Sequence, residues 1–255
     1  MKQWVLLVLR QRARTINRFI FDVDGTLTPS RCEMDPAFQK WFVEFQKQNA
    51  VYLVTGSDRA KTIEQVGEKV YNLSQRVYNC SGSDTWEQDK NTFTSEWQLP
   101  ERETEFLTEK LTQSTFPLRT GIHFEHRPGM CNFSVVGRGA TKKERQHYVE
   151  FDQVNNERNQ IATSFCKRFP NIEAKVGGET GIDLFPQGSN KSQILRDFDS
   201  NDCLHFFGDA MHPEGNDYPL KQIIVDKDLG FGYTIENYKE TWEILRDTDW
   251  SPKLL

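Results

Sequence analysis

Nothing in this sequence approaches the ~18 consecutive apolar residues that a membrane-spanning helix needs. The longest such run, Trp4 to Leu9, is followed by Arg10, Arg12 and Arg14. A secretory leader has the opposite order, basic and then apolar, and residues 1–17 read instead as a mobile lead-in or a misassigned start. Basic charge is not in excess. Lys and Arg number 32 against 37 Asp and Glu, a formal net charge of −5, which gives no support to nucleic-acid binding by bulk electrostatics. Cysteine is scarce and odd in number: Cys32, Cys80, Cys131, Cys166 and Cys203, no two at CxxC spacing. That pattern argues against a disulfide framework and a zinc knuckle, and fits reduced thiols in the cytoplasm. No internal repeat and no low-complexity tract interrupts the chain.

What is present is aromatic: 18 Phe, 7 Tyr and 6 Trp can fill a core. The length of 255 residues suits one large domain or two small ones. Arg18-Phe-Ile-Phe-Asp-Val-Asp-Gly25 reads as a buried parallel strand ending on two carboxylates. Phe38, Trp41, Phe42 and Phe45 fall at helical spacing over 36–48, behind Asp35 as N-cap and Pro36 at the first turn. Residues 50–54 form a second buried strand and 59–70 a second helix, the order of a doubly wound α/β domain. The middle is more polar. It reads as a helix over 101–111, loosely alternating residues 123–136, a long helical region over 141–169, and strands at 172–176 and 181–185. The first pattern then returns, with a short helix at 191–198, a strand at 203–207, a helix end and strand over 219–226, and a closing helix at 235–246. The expected division is a discontinuous core, 18–84 and 187–255, split by an α+β insert over 85–186.

Chemistry concentrates at strand ends. Alternation puts Asp22 and Asp24 on one side of a strand, about 7 Å apart, where open α/β sheets bind ligands. One carboxylate can attack phosphorus and the second can act as acid and base, while Gly25 lets the backbone approach an anion. The bland alternative is a turn or a calcium loop. Glu33 does stand twelfth from Asp22, but Pro29 and Arg31 spoil the remaining ligand positions. Thr55-Gly56-Ser57 supplies hydroxyl and N–H groups after the second strand, Lys191 opens a helix, and Gly208-Asp209 precedes Asn216-Asp217. Alone, Lys191 reads as a surface lysine and Thr55 as a turn residue. In this order they make a phosphoryl-transfer set, in which Mg²⁺, Lys and N–H groups stabilise oxygen charge. Asp22 and Asp209 offer the hard oxygens that Mg²⁺ prefers.

These four segments resemble the motifs of the haloacid-dehalogenase superfamily, and an insert between the second and third is similar to its C2-type cap. Within it, Phe21-Asp-Val-Asp-Gly-Thr-Leu-Thr28 with Arg31, and Arg127-Pro-Gly-Met-Cys-Asn-Phe-Ser-Val-Val-Gly-Arg138, resemble the eukaryotic-type phosphomannomutases, as do Gly177-Gly178 with Ile182-Asp183-Leu-Phe-Pro186. The resemblance implies a doubly wound, Rossmann-like parallel-sheet core with an inserted α+β cap, and interconversion of mannose 6-phosphate and mannose 1-phosphate primed by a hexose 1,6-bisphosphate. It implies Asp22 as nucleophile and Asp24 as acid and base. Mg²⁺ would lie on Asp22, the Asp24 carbonyl and Asp209, with Lys191 neutralising the nucleophile and Asp217 orienting that lysine. Arg31, Arg127, Asn132 and Arg138 would hold the sugar and the phosphate that does not react, beside Thr55, Ser57 and Asp183. Planar, permanently charged arginines suit that task, and a salt bridge on the cap surface is the bland reading of Arg127 and Arg138. A homodimer through the cap, a small phosphorylated sugar as the only partner besides, no membrane, no nucleic acid and a cytoplasmic location complete the expectation.

The sequence departs from the family pattern at four places. Thr55 stands for a glycine, Gly181 for a serine, Ser189-Asn190 for Trp-Asp, and Cys80-Ser-Gly-Ser83 for Glu-Asn-Gly-Leu. They keep a sugar-phosphate phosphatase of the same superfamily as the alternative, and a non-catalytic sugar-phosphate-binding protein as a remote one. His212 reads as a loop residue near the acidic cluster.

Overall fold

The structure is a computed structural model that describes residues 16–213 and 215–250. Residues 1–15 of the expected lead-in lie outside them, and residues 16 and 17 open the first strand. The described residues form two compact units, one of residues 16–93 and 190–250, the other of 94–189.

The first unit is built on a seven-stranded sheet ordered β11-β10-β1-β2-β3-β4-β5. Its strands are β1 (Ile16–Phe21), β2 (Ala50–Val54), β3 (Arg76–Asn79), β4 (Asp84–Glu87), β5 (Lys90–Thr94), β10 (Asp202–Gly208) and β11 (Gly230–Thr234). The neighbours from β11 to β3 are parallel, and β4 returns antiparallel to β3. Because β4 and β5 extend this sheet, the unit runs to Phe93 rather than to residue 84. Helices cover both faces, as a parallel sheet requires. Phe19 and Phe21 point into a core shared with α1 (Pro36–Gln46) and α8 (Tyr238–Asp247), whereas Ile20 points into a second core shared with α7 (Tyr218–Asp226). The aromatic reading of α1 holds: Phe42 packs edge-on against Phe21 at 5.2 Å and Phe38 stacks on Trp242 at 5.3 Å. Its N-cap is Asp35, whose carboxylate accepts from the N–H groups of Ala37 and Phe38.

Two expected elements differ. The helix over 59–70 is two, α2 (Arg59–Val66) and α3 (Glu68–Leu73), because Gly67 takes a φ of +81° and its N–H caps the Ile63 carbonyl. The expected strand around Ile223-Ile224-Val225 is the last part of α7. Leu220 and Ile224, four residues apart, turn to the core together, so helical period overrides the β-branched run. The strand itself comes later, as β11.

The second unit carries a four-stranded antiparallel sheet ordered β6-β7-β9-β8. These are β6 (Phe124–Arg127), β7 (Met130–Ser134), β8 (Ile172–Gly177) and β9 (Gly181–Pro186), with α4 (Glu101–Gln113), α5 (Lys142–Asn155) and α6 (Glu157–Arg168). The expected long helix is broken at Asn156, which adopts the left-handed conformation with φ +52°. Alternation makes the sheet two-faced. Cys131, Phe133, Ile182, Leu184, Ile172 and Ala174 enter the core with Leu107, Tyr148 and Phe165 of the helices. On the other face the register aligns Glu125, Asn132, Asp183 and Lys175 in one polar row across all four strands.

Candidate active site

The strand order places the site. β1 lies between β2 and β10, which leave it in opposite directions, a switch point of the kind where open α/β sheets bind ligands beyond their carboxyl ends. The register sets Phe21 beside Leu53 and Phe207, so the segments that begin at Asp22, Thr55 and Asp209 emerge together.

Asp22 is 4 % exposed, and its N–H donates to the Phe207 carbonyl. Burial pushes its carboxyl up to about 7, against the pull of Lys191. Lys191 opens the 3₁₀ turn Lys191–Asp197 and is itself 1 % exposed. Its ammonium donates to Asp22 at 2.5 Å and to Asp217 at 2.7 Å. Burial alone would lower the Lys191 ammonium, but Asp217 and then Asp22 more than reverse it, so it stays charged. The surface reading of Lys191 is therefore excluded. Asp217 also accepts from the Ala210 N–H at 3.1 Å, which fixes the loop that begins at Asp209.

Asp22, Asp209 and Asp217 each bring a carboxylate oxygen within 4.8 Å of the others. Burial and then Asp217 raise the Asp209 carboxyl. Three crowded carboxylates against one lysine favour a divalent cation, and hard oxygens suit Mg²⁺. The approach depends on Gly25, whose φ is +76°: a side-chain carbon there would stand 2.2 Å from Asp209 Oδ2. The Asp24 carboxylate lies outside this cluster. It accepts from the Arg31 N–H at 2.6 Å and from Gln65 Nε2 at 2.8 Å. Arg31 adopts φ +59°, a strained conformation for a non-glycine residue, in making that bond.

Asp22, Asp24, Arg31, Thr55, Ser57 and Asp209 line one cavity of about 600 Å³. Thr55 is 1 % exposed and its hydroxyl accepts from the Ser57 N–H at 3.1 Å. Lys61, Gln65 and His212 line the same cavity, and the first two had not been singled out. Lys61 and Gln65 are four residues apart on α2, so helical spacing puts them on one face; that was the available signal.

Arg127, Asn132, Arg138 and Asp183 gather in the second unit, on the polar face of its sheet. Asn132 Nδ2 donates to Asp183 at 2.6 Å, and its Oδ1 is buried without a hydrogen-bond partner among the described residues. Gly181 makes room for that carboxamide, since a side-chain carbon there would stand 2.4 Å from Asn132 Nδ2. Arg127 and Arg138 both pair with Glu125. The bland salt-bridge reading thus describes a real contact, though its acidic partner had not been foreseen.

A sequence model described as eukaryotic phosphomannomutase matches residues 38–249. The phosphomannomutase of Oryza sativa subsp. indica is 31% identical over 236 residues, covering 89% of this chain and 93% of that protein. Among solved structures, a haloacid dehalogenase-like hydrolase from Bacteroides thetaiotaomicron superposes with a TM-score of 0.59 at 12% identity, over 91% of this chain and 99% of that one. Trehalose-6-phosphate phosphatase of Aspergillus fumigatus gives 0.51 at 18% identity, over 96% and 95%. At such identities the structural likeness speaks for the fold alone. No helix among the described residues is long and apolar enough to cross a membrane.

Proposed function

This chain belongs to the eukaryotic phosphomannomutase family, and on that premise we propose that it is a Mg²⁺-dependent phosphotransferase interconverting mannose 6-phosphate and mannose 1-phosphate. The observation that carries the mechanism is the different treatment of two carboxylates two residues apart. Asp22 is buried against the Lys191 ammonium, whereas Asp24 is held apart by Gln65 and the Arg31 N–H.

In this reading an Asp22 oxygen attacks phosphorus, the phosphorus–oxygen ester bond breaks, and Asp24 gives its proton to the departing sugar oxygen. In the return step Asp24 takes the proton from the free hydroxyl of a hexose monophosphate, which attacks the phosphoaspartate to give the bisphosphate and restores Asp22. Lys191 lowers the charge that Asp22 presents to an incoming phosphate, and Asp217 keeps that lysine in place. Thr55 and Ser57 offer their hydroxyls to the phosphoryl oxygens from the cavity wall. Asp22, Asp209 and the Asp24 carbonyl would hold Mg²⁺, with Asp217 behind them. Mg²⁺, when bound, supplies positive charge to the phosphoryl oxygens. Arg127 and Arg138 take the phosphate that does not react, and Asn132 with Asp183 takes sugar hydroxyls.

A hexose 1,6-bisphosphate as activator, self-association through the second unit and a cytoplasmic location belong to the same proposal. The last is supported by five free cysteines. A phosphatase is the second reading. It is favoured by Thr55, which puts a hydroxyl residue where these mutases carry glycine, on the wall of the same cavity.

Phosphorus-31 NMR on the full chain, with Mg²⁺ and mannose 1-phosphate, separates the two. A mannose 6-phosphate signal that depends on a trace of glucose 1,6-bisphosphate supports the mutase. Growth of inorganic phosphate alone overturns it in favour of the phosphatase.

A further inference from the structure

Arg127 and Arg138 do not stand as two separate cations. The Glu125 carboxylate holds both: Oε2 lies 2.5 Å from Arg138 Nε and 3.0 Å from Arg127 Nη2, and Oε1 lies 3.4 Å from Arg127 Nε. Strand alternation explains why it can. Glu125 and Arg127 are two residues apart on β6 and share the polar face of the sheet, opposite Asn132 and Met130. Arg138 enters from beyond the end of β7, where its N–H is fixed to the Ile122 carbonyl at 2.8 Å. All three side chains remain about one-third exposed, at 30 to 36 %, so the cluster faces solvent.

Which edges Glu125 occupies is the informative detail. On Arg138 it takes Nε, and neither terminal Nη has a hydrogen-bond partner among the described residues. On Arg127 it takes Nε and Nη2, leaving Nη1. The terminal fork of Arg138 is the edge that grips a phosphate through two parallel bonds. Glu125 therefore steers the arginines without covering the groups that would meet an anion.

We propose that Glu125 is a positioning residue, which pre-orients Arg127 and Arg138 as a single two-pronged receptor for a phosphate group. This rests on the reading that these arginines hold the phosphate that does not react. Glu125 also has an opposing effect, because its charge repels an incoming anion. Two long side chains, each rich in rotamers, lose more freedom on binding when unanchored than one solvent-facing, salt-screened carboxylate removes in attraction. Orientation outweighs repulsion here, so loss of Glu125 weakens binding.

The test is a double-mutant cycle on the full chain with Mg²⁺, in the Asp22→Asn background so that ligand is not consumed. The probe is glucose 1,6-bisphosphate, followed by isothermal titration calorimetry. Glu125→Ala and Arg138→Ala are each expected to weaken binding about tenfold, and the double variant little more than either one. Glu125→Gln, which keeps one acceptor oxygen and no charge, is expected to fall between wild type and Glu125→Ala. Unchanged melting temperatures and far-ultraviolet spectra exclude simple unfolding. Independent losses that multiply in the double variant would overturn the positioning role, as would undiminished binding by Glu125→Ala while Arg138→Ala is impaired. Undiminished binding by Arg138→Ala would instead refute the underlying assignment of the phosphate site.

Discussion

Replacing Lys191 with Met should destabilise the chain strongly at pH 8 and much less at pH 5.5. The ammonium lies between two carboxylates with essentially no solvent around any of the three, its own side chain and that of Asp217 at 0% exposure and that of Asp22 at 6%. Removing one member of a buried ion pair leaves an uncompensated charge, at a cost of about 3–5 kcal/mol. In a chain of this size that corresponds to a fall in Tm of roughly 10 °C. The pH dependence follows from the acids left behind. Asp22 already sits raised from 3.8 to about 7, so the folded chain keeps a proton that the unfolded chain releases. Stability from such a group is complete below its unfolded value and falls as pH rises through the folded one. Loss of Lys191 removes the pull that holds Asp22 down and raises it further, which extends the falling limb upward. At pH 5.5 the Asp22 carboxyl is protonated and much of the penalty disappears. The assay is thermal and urea unfolding at both pH values, in EDTA so that no divalent cation substitutes for the ammonium. Adding Asp22→Asn to the Lys191→Met chain should recover part of the stability at pH 8. A Lys191→Met chain within about 1 kcal/mol of wild type, or equally destabilised at both pH values, would refute the reasoning.

Asp22→Asn should abolish phosphoryl transfer, since a neutral amide is no nucleophile toward phosphorus; retention of more than about a tenth of wild-type turnover in a phosphate-release or NMR assay counts against the role. Gly25→Ala places a methyl group against Asp209, so the concentration of Mg²⁺ giving half-maximal activity should rise at least about tenfold, with Tm recorded alongside to detect backbone strain. His205 is held neutral, lowered from 6.5 to about 4 by burial between Phe19 and Trp250. Its contribution is complete above 6.5 and is lost as pH falls through 4, so wild type should lose about 1–2 kcal/mol between pH 7 and pH 5 that His205→Phe does not, measured as the difference between their stability profiles.

How much of this was legible depended on how local each signal was. Asp22 to Gly25 announced a site because a strand end, two carboxylates and a turn residue occupy four consecutive positions. The helix behind Asp35 and Pro36 was legible for the same reason. Gln65 was not, since its purpose appears only when it donates to Asp24 across 41 residues of chain. Glu125 acts through two arginines, one of them reached only after the chain has run through a second strand and a turn. The hairpin of β4 and β5 escaped because Lys90 to Thr94 are all exposed, so no buried face imposes the alternation by which a strand is recognised. The break at Gly67 was visible as a glycine, but only the left-handed φ it adopts shows why α2 stops there.

The position of β1 in the sheet has a consequence for how the chain is made. Its partner on one side, β2, follows within a few turns of helix, but the other, β10, pairs residue 16 with residue 202. During synthesis the β1 edge that carries Phe19 to Phe21 stays open until the whole insert has emerged, and long-range closure of this kind is slow. The nascent chain therefore carries an unpaired hydrophobic edge for most of its translation, a state prone to association with other open edges. Asp22, on that same edge, meets Lys191, Asp209 and Asp217 only when the last quarter of the chain arrives. Competence for phosphoryl transfer is thus a late event in folding, and a chain terminated before β10 lacks both the sheet closure and the Asp209 and Asp217 carboxylates that complete the cluster around Asp22.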